Sequence, residues 1–517
     1  FAQYALCLIS IMTAPWLKSR AAGLFLHMSS LPSHVGIGNL GESAFSILEF
    51  MNKAGLSFWQ MCPVGPTGFG DSPYQVFSSS AGNPYFIDWN PLIASNLIQE
   101  YELEKLKSLP FEFVDYGLLY QEFFKVLRIA FERFQKNTNS LEKLYGKYDL
   151  FVDKNRAWLE HYCLFQGFKV LYEGKPWWEW PVQHKDIITD VKNGSDYSFH
   201  EFIQFVFRSQ WKKFKEHANN KKVKLIGDLP IYCAPDSSDV WAFPELFELN
   251  KIDNSFQKVA GVPPDYFNED GQFWGNPLYE WDEHKKNGYK WWISRLEAQL
   301  DLFDVVRIDH FRGFNDYWSI DSETKDAKSG TWQNGPGLNF WKVIKDNFPT
   351  LPFLAEDLGL ITKEVRQLRE QIPLLGMAVL QFAFDGDSKN LYLPHNLNKS
   401  LVLYSGTHDN DTTIGWYKNS SNEIQDNFRS YFNISGEDAS WDMIRSAYRS
   451  VSPLVITPVQ DYLGLGSEAR FNEPGIAEGN WQWRLSFDQL QHLHSNCGSY
   501  LLEQAKITGR IDSELKS

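Results

Sequence analysis

The chain has 517 residues, 43% hydrophobic and 22% charged, the ordinary balance of a soluble globular protein with a large core. Its net charge of −14 argues against nucleic acid or an anionic membrane as the main partner. Five scattered cysteines (Cys7, Cys62, Cys163, Cys233, Cys497) include no CxxC pair, which predicts free thiols in a reducing compartment.

The opening stretch FAQYALCLISIM is apolar and uncharged. It lacks a basic n-region and is too short to span a bilayer before Lys18 and Arg20. Met12 is the expected natural start, with residues 1–11 an upstream addition; a cleaved signal remnant is the alternative. Residues 1–22 are read as a segment ahead of the fold, and the expected location is cytoplasmic, or a plastid if a transit peptide has been lost.

From residue 23 onward, eight short apolar runs punctuate the chain, each ending in polar or Gly/Pro residues. They are Gly23–Ser30, Phe58–Val64, Lys224–Tyr232, Val305–Phe311, Pro352–Gly359, Met377–Phe384, Leu401–Asp409 and Leu454–Gly464. Helical periodicity follows most of them, as in ESAFSILEFMNKAG and KEVRQLREQI, where apolar residues fall three and four apart. Such a succession predicts a (β/α)8 TIM barrel over 23–517, with a doubly wound sheet as the alternative. Two intervals are too long for a βα unit. Residues 67–222 are expected to form a mainly helical subdomain, with helices over 118–135, 156–172 and 200–218 and a rigid aromatic knot, KPWWEWP. Residues 233–282 form a second, polar and aromatic insertion. The sequence GIGNLG (Gly36–Gly41) matches G-x-G-x-x-G, but Pro32 separates it from the strand and no acidic residue closes the next run. It is read as a turn on the barrel rim and not as a nucleotide site.

Chemistry in a barrel sits where strands end. In VVRIDHF, strand alternation puts Arg307 and Asp309 on one face and Val306 and Ile308 on the other. The plainer reading is a buried structural ion pair. The other is a carboxylate nucleophile, kept ionised because a neighbouring cation lowers its pKa. Glu356 in LAEDLG and Asp409 in SGTHD end two further runs. Retaining cleavage of a glycosidic bond needs a carboxylate nucleophile and a protonated carboxyl about 5–5.5 Å away. Glu356 is expected to be that acid, raised by nearby negative charge, with Asp409 ionised beside the developing positive charge. His408 is expected to contact the sugar. The rival use of Asp309, His310, His408 and Asp409, binding a metal, matches no standard ligand spacing.

RIDHFRGF, LAEDLG and SGTHDNDT resemble the catalytic regions of the α-amylase clan. GDLPIYCAPDSSDVWAFPELF, VAGVPPDYFNEDGQFWGNPLYEW and NWQWR are similar to the 4-α-glucanotransferases of glycoside hydrolase family 77, the amylomaltases and disproportionating enzymes. The likeness runs from about Gly23 to Arg484. It implies retaining transfer of α-1,4-glucan segments between maltooligosaccharides, or starch- and glycogen-derived glucans, with no cofactor and no metal. It also implies Asp309 as nucleophile, Glu356 as acid/base and Asp409 as transition-state stabiliser. Arg307 and His408 would flank the subsite where the bond breaks, His310 is a further substrate contact, Asp228 would bind an acceptor sugar, and Tyr74 would stack on a donor glucose. Tyr266, Gln272 and Trp274 would lie in a loop covering the cleft, and Asn480 of NWQWR is a further substrate contact. Two other readings are an α-glucan hydrolase on the same scaffold and a non-catalytic glucan binder. The amylase signature ending in Asn-His after the third run is absent, and a binder has no need of all three carboxylates. A covering loop from Val259 to Trp281 would favour transfer by shielding the intermediate from water.

Overall fold

The computed structural model of the chain describes residues 14–68, 70–181, 185–264, 269–476 and 478–511. The expectations for residues 1–11 and for Tyr266 lie outside the described residues. Twelve strands occur among them: β1 (Ala21–Phe25), β2 (Phe58–Gln60), β3 (Lys224–Pro230), β4 (Lys258–Val262), β5 (Gln272–Pro277), β6 (Val305–Asp309), β7 (Asp316–Asp321), β8 (Thr331–Asn334), β9 (Phe353–Ala355), β10 (Gly376–Val379), β11 (Leu401–Tyr404) and β12 (Leu454–Pro458).

Eight of them are parallel neighbours in the order β10-β11-β12-β1-β2-β3-β6-β9. Leu354 pairs in parallel with Leu375, and Ala355 N–H donates to Leu375 O at 2.8 Å, which joins β9 to β10 and closes the ring. The protein is therefore a (β/α)8 barrel, as the eight apolar runs predict. The strands are short and buried on both faces, which explains why they read as apolar runs without alternation. Val305, Val306 and Ile308 of β6 are 0–1% exposed, and each such side chain contributes about 1.5–3 kcal/mol by leaving water. Trp59 of β2 is fully buried and donates its indole N–H to Leu26 O at 2.7 Å, tying β2 to the exit of β1.

Helices clothe the ring. Glu42–Ala54 joins β1 to β2 and ends on Gly55, whose φ of +72° is the left-handed cap that glycine adopts without strain. The expected helices in 67–222 appear as Tyr116–Lys136, Tyr148–Leu171 and Ser195–Asn220. The last of these packs on the barrel itself. Trp211 Nε1 donates to Leu302 O at 2.8 Å, and Lys215 Nζ to Phe303 O at 2.7 Å, just before β6. In KPWWEWP, Trp177 and Trp180 are buried, and Trp177 Nε1 donates to Pro235 O at 2.8 Å. The knot thus clips the helical region to the loop after β3. At Gly38 an added Cβ would sit 2.1 Å from Met28 O, so GIGNLG packs tightly on the turn after β1.

The four remaining strands form a separate antiparallel sheet in the order β5-β4-β7-β8. Its first two strands come from the loop after β3, and the other two from the loop after β6. Val259 pairs with Ile320 and Ala260 with Ser319, so backbone hydrogen bonds join the two loops. The expected covering loop is therefore half of a sheet whose other half directly follows Asp309. Among the described residues, no helix is long and apolar enough to cross a membrane. Cys62, Cys163, Cys233 and Cys497 are free and buried.

Candidate active site

One end of the barrel gathers most of the polar residues singled out in the sequence. The central group is Arg307 of β6, 3% exposed. Its Nη2 lies 2.8 Å from Asp309 Oδ1 and 2.8 Å from Asp228 Oδ2, and its Nε donates to the same Asp228 oxygen at 2.9 Å. β3 and β6 are paired with Asp228 opposite Arg307, so the contact follows from strand register. The Tyr74 hydroxyl donates to Asp228 Oδ2 at 2.7 Å and accepts from Arg307 Nη2 at 3.3 Å. Asp228 is only 1% exposed, and its position is that of a brace beneath Arg307. Its Oδ1 has no hydrogen-bond partner among the described residues.

Asp309 sits at the exit of β6 with its side chain 29% exposed. Enclosure in the cleft raises its carboxyl to about 6, against the lowering by Arg307. The expectation from sequence had the cation prevail; in the structure, desolvation of the carboxylate is the larger effect.

Glu356 directly follows β9. It accepts His310 N–H on Oε2 at 2.7 Å and Leu358 N–H on Oε1 at 2.8 Å. Enclosure first, and then the charge of Asp309, raise it to about 7, outweighing Arg307 and both backbone donors. The adjacent Asp357 points elsewhere: it meets Arg369 Nη1 at 3.1 Å and accepts Met377 N–H at 2.8 Å. Of the two acids in LAEDLG, Glu356 is thus the one that communicates with Asp309.

Asp409, beyond β11, has a different environment. Enclosure would raise its carboxyl, but His408 Nε2 at 3.2 Å and Asn472 Nδ2 at 2.6 Å hold it down at about 2. His408 is raised in turn, its burial outweighed by Asp409. The His408 ring lies on the Tyr74 ring, with centroids 5.0 Å apart and planes 20° apart, and Trp481 leans on both. Of the three carboxyls at the ends of β6, β9 and β11, Asp309 and Glu356 are therefore raised by their shared enclosure and Asp409 is lowered by its partners.

Trp274 of β5 packs edge-on against the His310 ring, centroids 4.9 Å apart, and donates its indole N–H to Gln272 Oε1 at 2.9 Å. The sheet therefore reaches the segment beside Asp309. Asn480 is not part of this group in its contacts. It is spent within its own loop, accepting Glu473 N–H at 2.8 Å and donating to Ile476 O at 2.8 Å. Among the described residues, no group of three or more His, Cys, Asp or Glu is placed to hold a metal ion.

Two contributors were not singled out in the sequence. Asn472 reaches Asp409 from 63 positions away, with no local pattern to mark it. His27, at the exit of β1, is lowered to about 3 by burial and then by His408, so it stays neutral behind the site.

Comparison with known proteins agrees along nearly the whole chain. The family model for the 4-alpha-glucanotransferases of glycoside hydrolase family 77 matches residues 26–490. The 4-alpha-glucanotransferase of Thermus thermophilus is 43% identical over 506 residues, covering 95% of this chain and 99% of that protein. The chloroplastic/amyloplastic 4-alpha-glucanotransferase of Solanum tuberosum is 39% identical over 500 residues, 92% of this chain and 86% of that one. The amylomaltase of Streptococcus agalactiae, solved in complex with acarbose, superposes with a TM-score of 0.91 at 34% identity, covering 95% of this chain and all of that one.

Proposed function

The chain belongs to glycoside hydrolase family 77 and is a 4-alpha-glucanotransferase, and we propose that it moves α-1,4-glucan segments between maltooligosaccharides through a covalent glycosyl-aspartate on Asp309. The carboxylate of Asp309 attacks the anomeric carbon of the donor. Glu356 gives its proton to the glycosidic oxygen, and the reducing-end fragment leaves with a free 4-hydroxyl. In the second half-reaction Glu356 takes the proton of an acceptor 4-hydroxyl, whose oxygen attacks the anomeric carbon and displaces Asp309. Two displacements at one carbon retain its configuration.

The observation that carries this reading is the difference in partners among the three carboxyls: Arg307 for Asp309, backbone N–H groups for Glu356, His408 and Asn472 for Asp409. Enclosure raises Glu356 and Asp309 together; Glu356 accepts only backbone N–H groups among the described residues, whereas Asp309 faces the Arg307 cation that favours its charged form, and Asp409 stays ionised at about 2. Environments that push neighbouring carboxyls apart are how acid and base roles are divided. Asp409 faces the positive charge that develops on the ring, with no proton to lose. Tyr74 supplies a flat surface for a donor sugar, and His408 a hydrogen-bond donor to the ring beside Asp409. Gln272 and Trp274, on the sheet that meets His310, cover the cleft and exclude water from the intermediate.

The test is incubation with maltotriose alone and separation of products by chain length. Transfer yields glucose together with maltopentaose and longer chains. Maltose and glucose, with nothing longer than the substrate, would mean that water is the acceptor and would overturn the proposal.

A further inference from the structure

His310 occupies a backbone conformation that few side chains adopt. Its φ and ψ are +52° and +52°, immediately after the nucleophile proposed above. Histidine tolerates the left-handed region better than most residues, whereas a β-branched residue there is a true outlier. The consequence is visible in the hydrogen bonds. The left-handed turn lets two successive N–H groups face Glu356: His310 donates to Oε2 at 2.7 Å, and the next residue, Phe311, donates its N–H to Glu356 O at 3.0 Å. Glu356 N–H in turn donates to Ile308 O at 3.0 Å. Three bonds therefore lock the acid-bearing segment to the nucleophile-bearing one. The ring of His310 is braced from outside by Trp274, which stands edge-on to it on β5.

We infer that His310 is a positioning residue: its left-handed backbone, braced by Trp274, aims an N–H at the Glu356 carboxyl and so links the covering sheet mechanically to the acid/base group. The inference rests on the assignment of Glu356 as acid/base. The link matters because an N–H donated to a carboxyl stabilises its charged form. When the sheet seats Trp274 against His310, the bond is held and the proton leaves Glu356 more readily. When the brace is missing, the bond loosens and Glu356 keeps its proton to higher pH.

The other charged and titratable groups around Glu356 are accounted for. Asp309 and Arg307 face it from β6, Tyr392 approaches from the segment after β10, and Asp357 on its own segment is engaged by Arg369. The His310 imidazole is lowered to about 4 by its burial and then by Arg312, so it does not itself titrate near neutrality.

The experiment compares His310→Asn with His310→Val by the pH dependence of kcat/KM for maltotriose disproportionation. Both remove the imidazole, so any contact of that ring with sugar is lost equally. Asparagine accepts the left-handed conformation and valine does not. The alkaline limb of the Val variant is expected to lie about one pH unit above that of the Asn variant. Trp274→Ala, which leaves residue 310 untouched, is expected to move the limb in the same direction and guards against a Val variant that does not fold. Coincident alkaline limbs in the Val and Asn variants, or a Trp274 variant whose limb coincides with that of the unaltered protein, would overturn the inference. A separate control isolates the underlying assignment. If Glu356→Gln cleaves an α-maltosyl fluoride donor, whose leaving group needs no proton, but not maltotriose, Glu356 is the acid. If Glu356→Gln turns over maltotriose normally, that assignment fails first, and with it the link.

Discussion

The hydroxyl of Tyr74 donates to Asp228 at 2.7 Å across 154 positions of chain. That bond joins the loop after β2 to the floor formed by β3, and it fixes one face of the site without touching any of the three carboxyls proposed for chemistry. Asp228 is thereby engaged twice, by Tyr74 and by Arg307.

From that arrangement follows the first prediction. Asp228→Asn leaves the buried Arg307 with Asp309 as its one remaining carboxylate. Because Arg307 keeps one charged partner, the loss is that of a charge-assisted hydrogen bond, about 1.5–3 kcal/mol. Urea unfolding should show a loss of that order, together with reduced turnover as Arg307 is freed to pull on Asp309. An unchanged midpoint would show that Asp228 is not a brace.

A second prediction concerns the proton donor. Replacing Glu356 by Gln preserves shape and removes the proton, and general acid catalysis contributes about 10²–10⁴-fold. Transfer from maltotriose should fall by at least that factor, while calorimetric binding of maltooligosaccharides stays measurable. Loss of binding along with turnover would point instead to collapse of the site around the His310 and Leu358 donors.

The pH profile is the third. Activity requires Asp309 ionised and Glu356 protonated. Below about 6 the nucleophile gains its proton, and above about 7 the acid loses its own. Rate therefore falls on both sides, and kcat/KM should be bell-shaped with its maximum between those values. The two limbs belong to the pair and not to either residue alone. Asp409, held at about 2, should add no limb in this range. A profile flat from pH 5 to 8 would contradict the assignment.

The fourth prediction addresses transfer against hydrolysis. Trp274 is the part of the sheet that meets His310, and its truncation to Ala opens a route for water beside the intermediate. The ratio of hydrolysis to transfer products from maltotriose should rise. If both product classes decline in proportion, Trp274 does not shield the site.

How much of this was legible beforehand depends on the kind of signal each part leaves. All eight barrel strands lie within or beside the apolar runs, because a strand buried on both faces is apolar except where a polar residue finds a partner, as Asp228 and Arg307 do. The candidate carboxyls Asp309, Glu356 and Asp409 were visible because they end such runs. The antiparallel sheet was not. Its β5, QFWGNP, carries Gly275 at φ +75° and mixes exposed and buried positions, and β8, TWQN, is largely exposed. Neither shows the alternation that marks a half-buried strand. Their pairing lies between two loops distant in sequence, which no local pattern records. The charge on Asp309 illustrates a different limit. Sequence showed the arginine that lowers it, but desolvation, which prevails, depends on everything packed around the cleft. Asn472 left no trace at all, being one amide among many until the fold brings it to Asp409.

The shared sheet has a practical consequence. Because β4 hydrogen-bonds to β7, the two loops share one sheet, and the turn just before β4 lies at its margin. Ile252 in that turn is 95% exposed and makes no part of the site. A fluorescent label attached there would show whether the sheet shifts during single turnovers, and at which stage relative to product release.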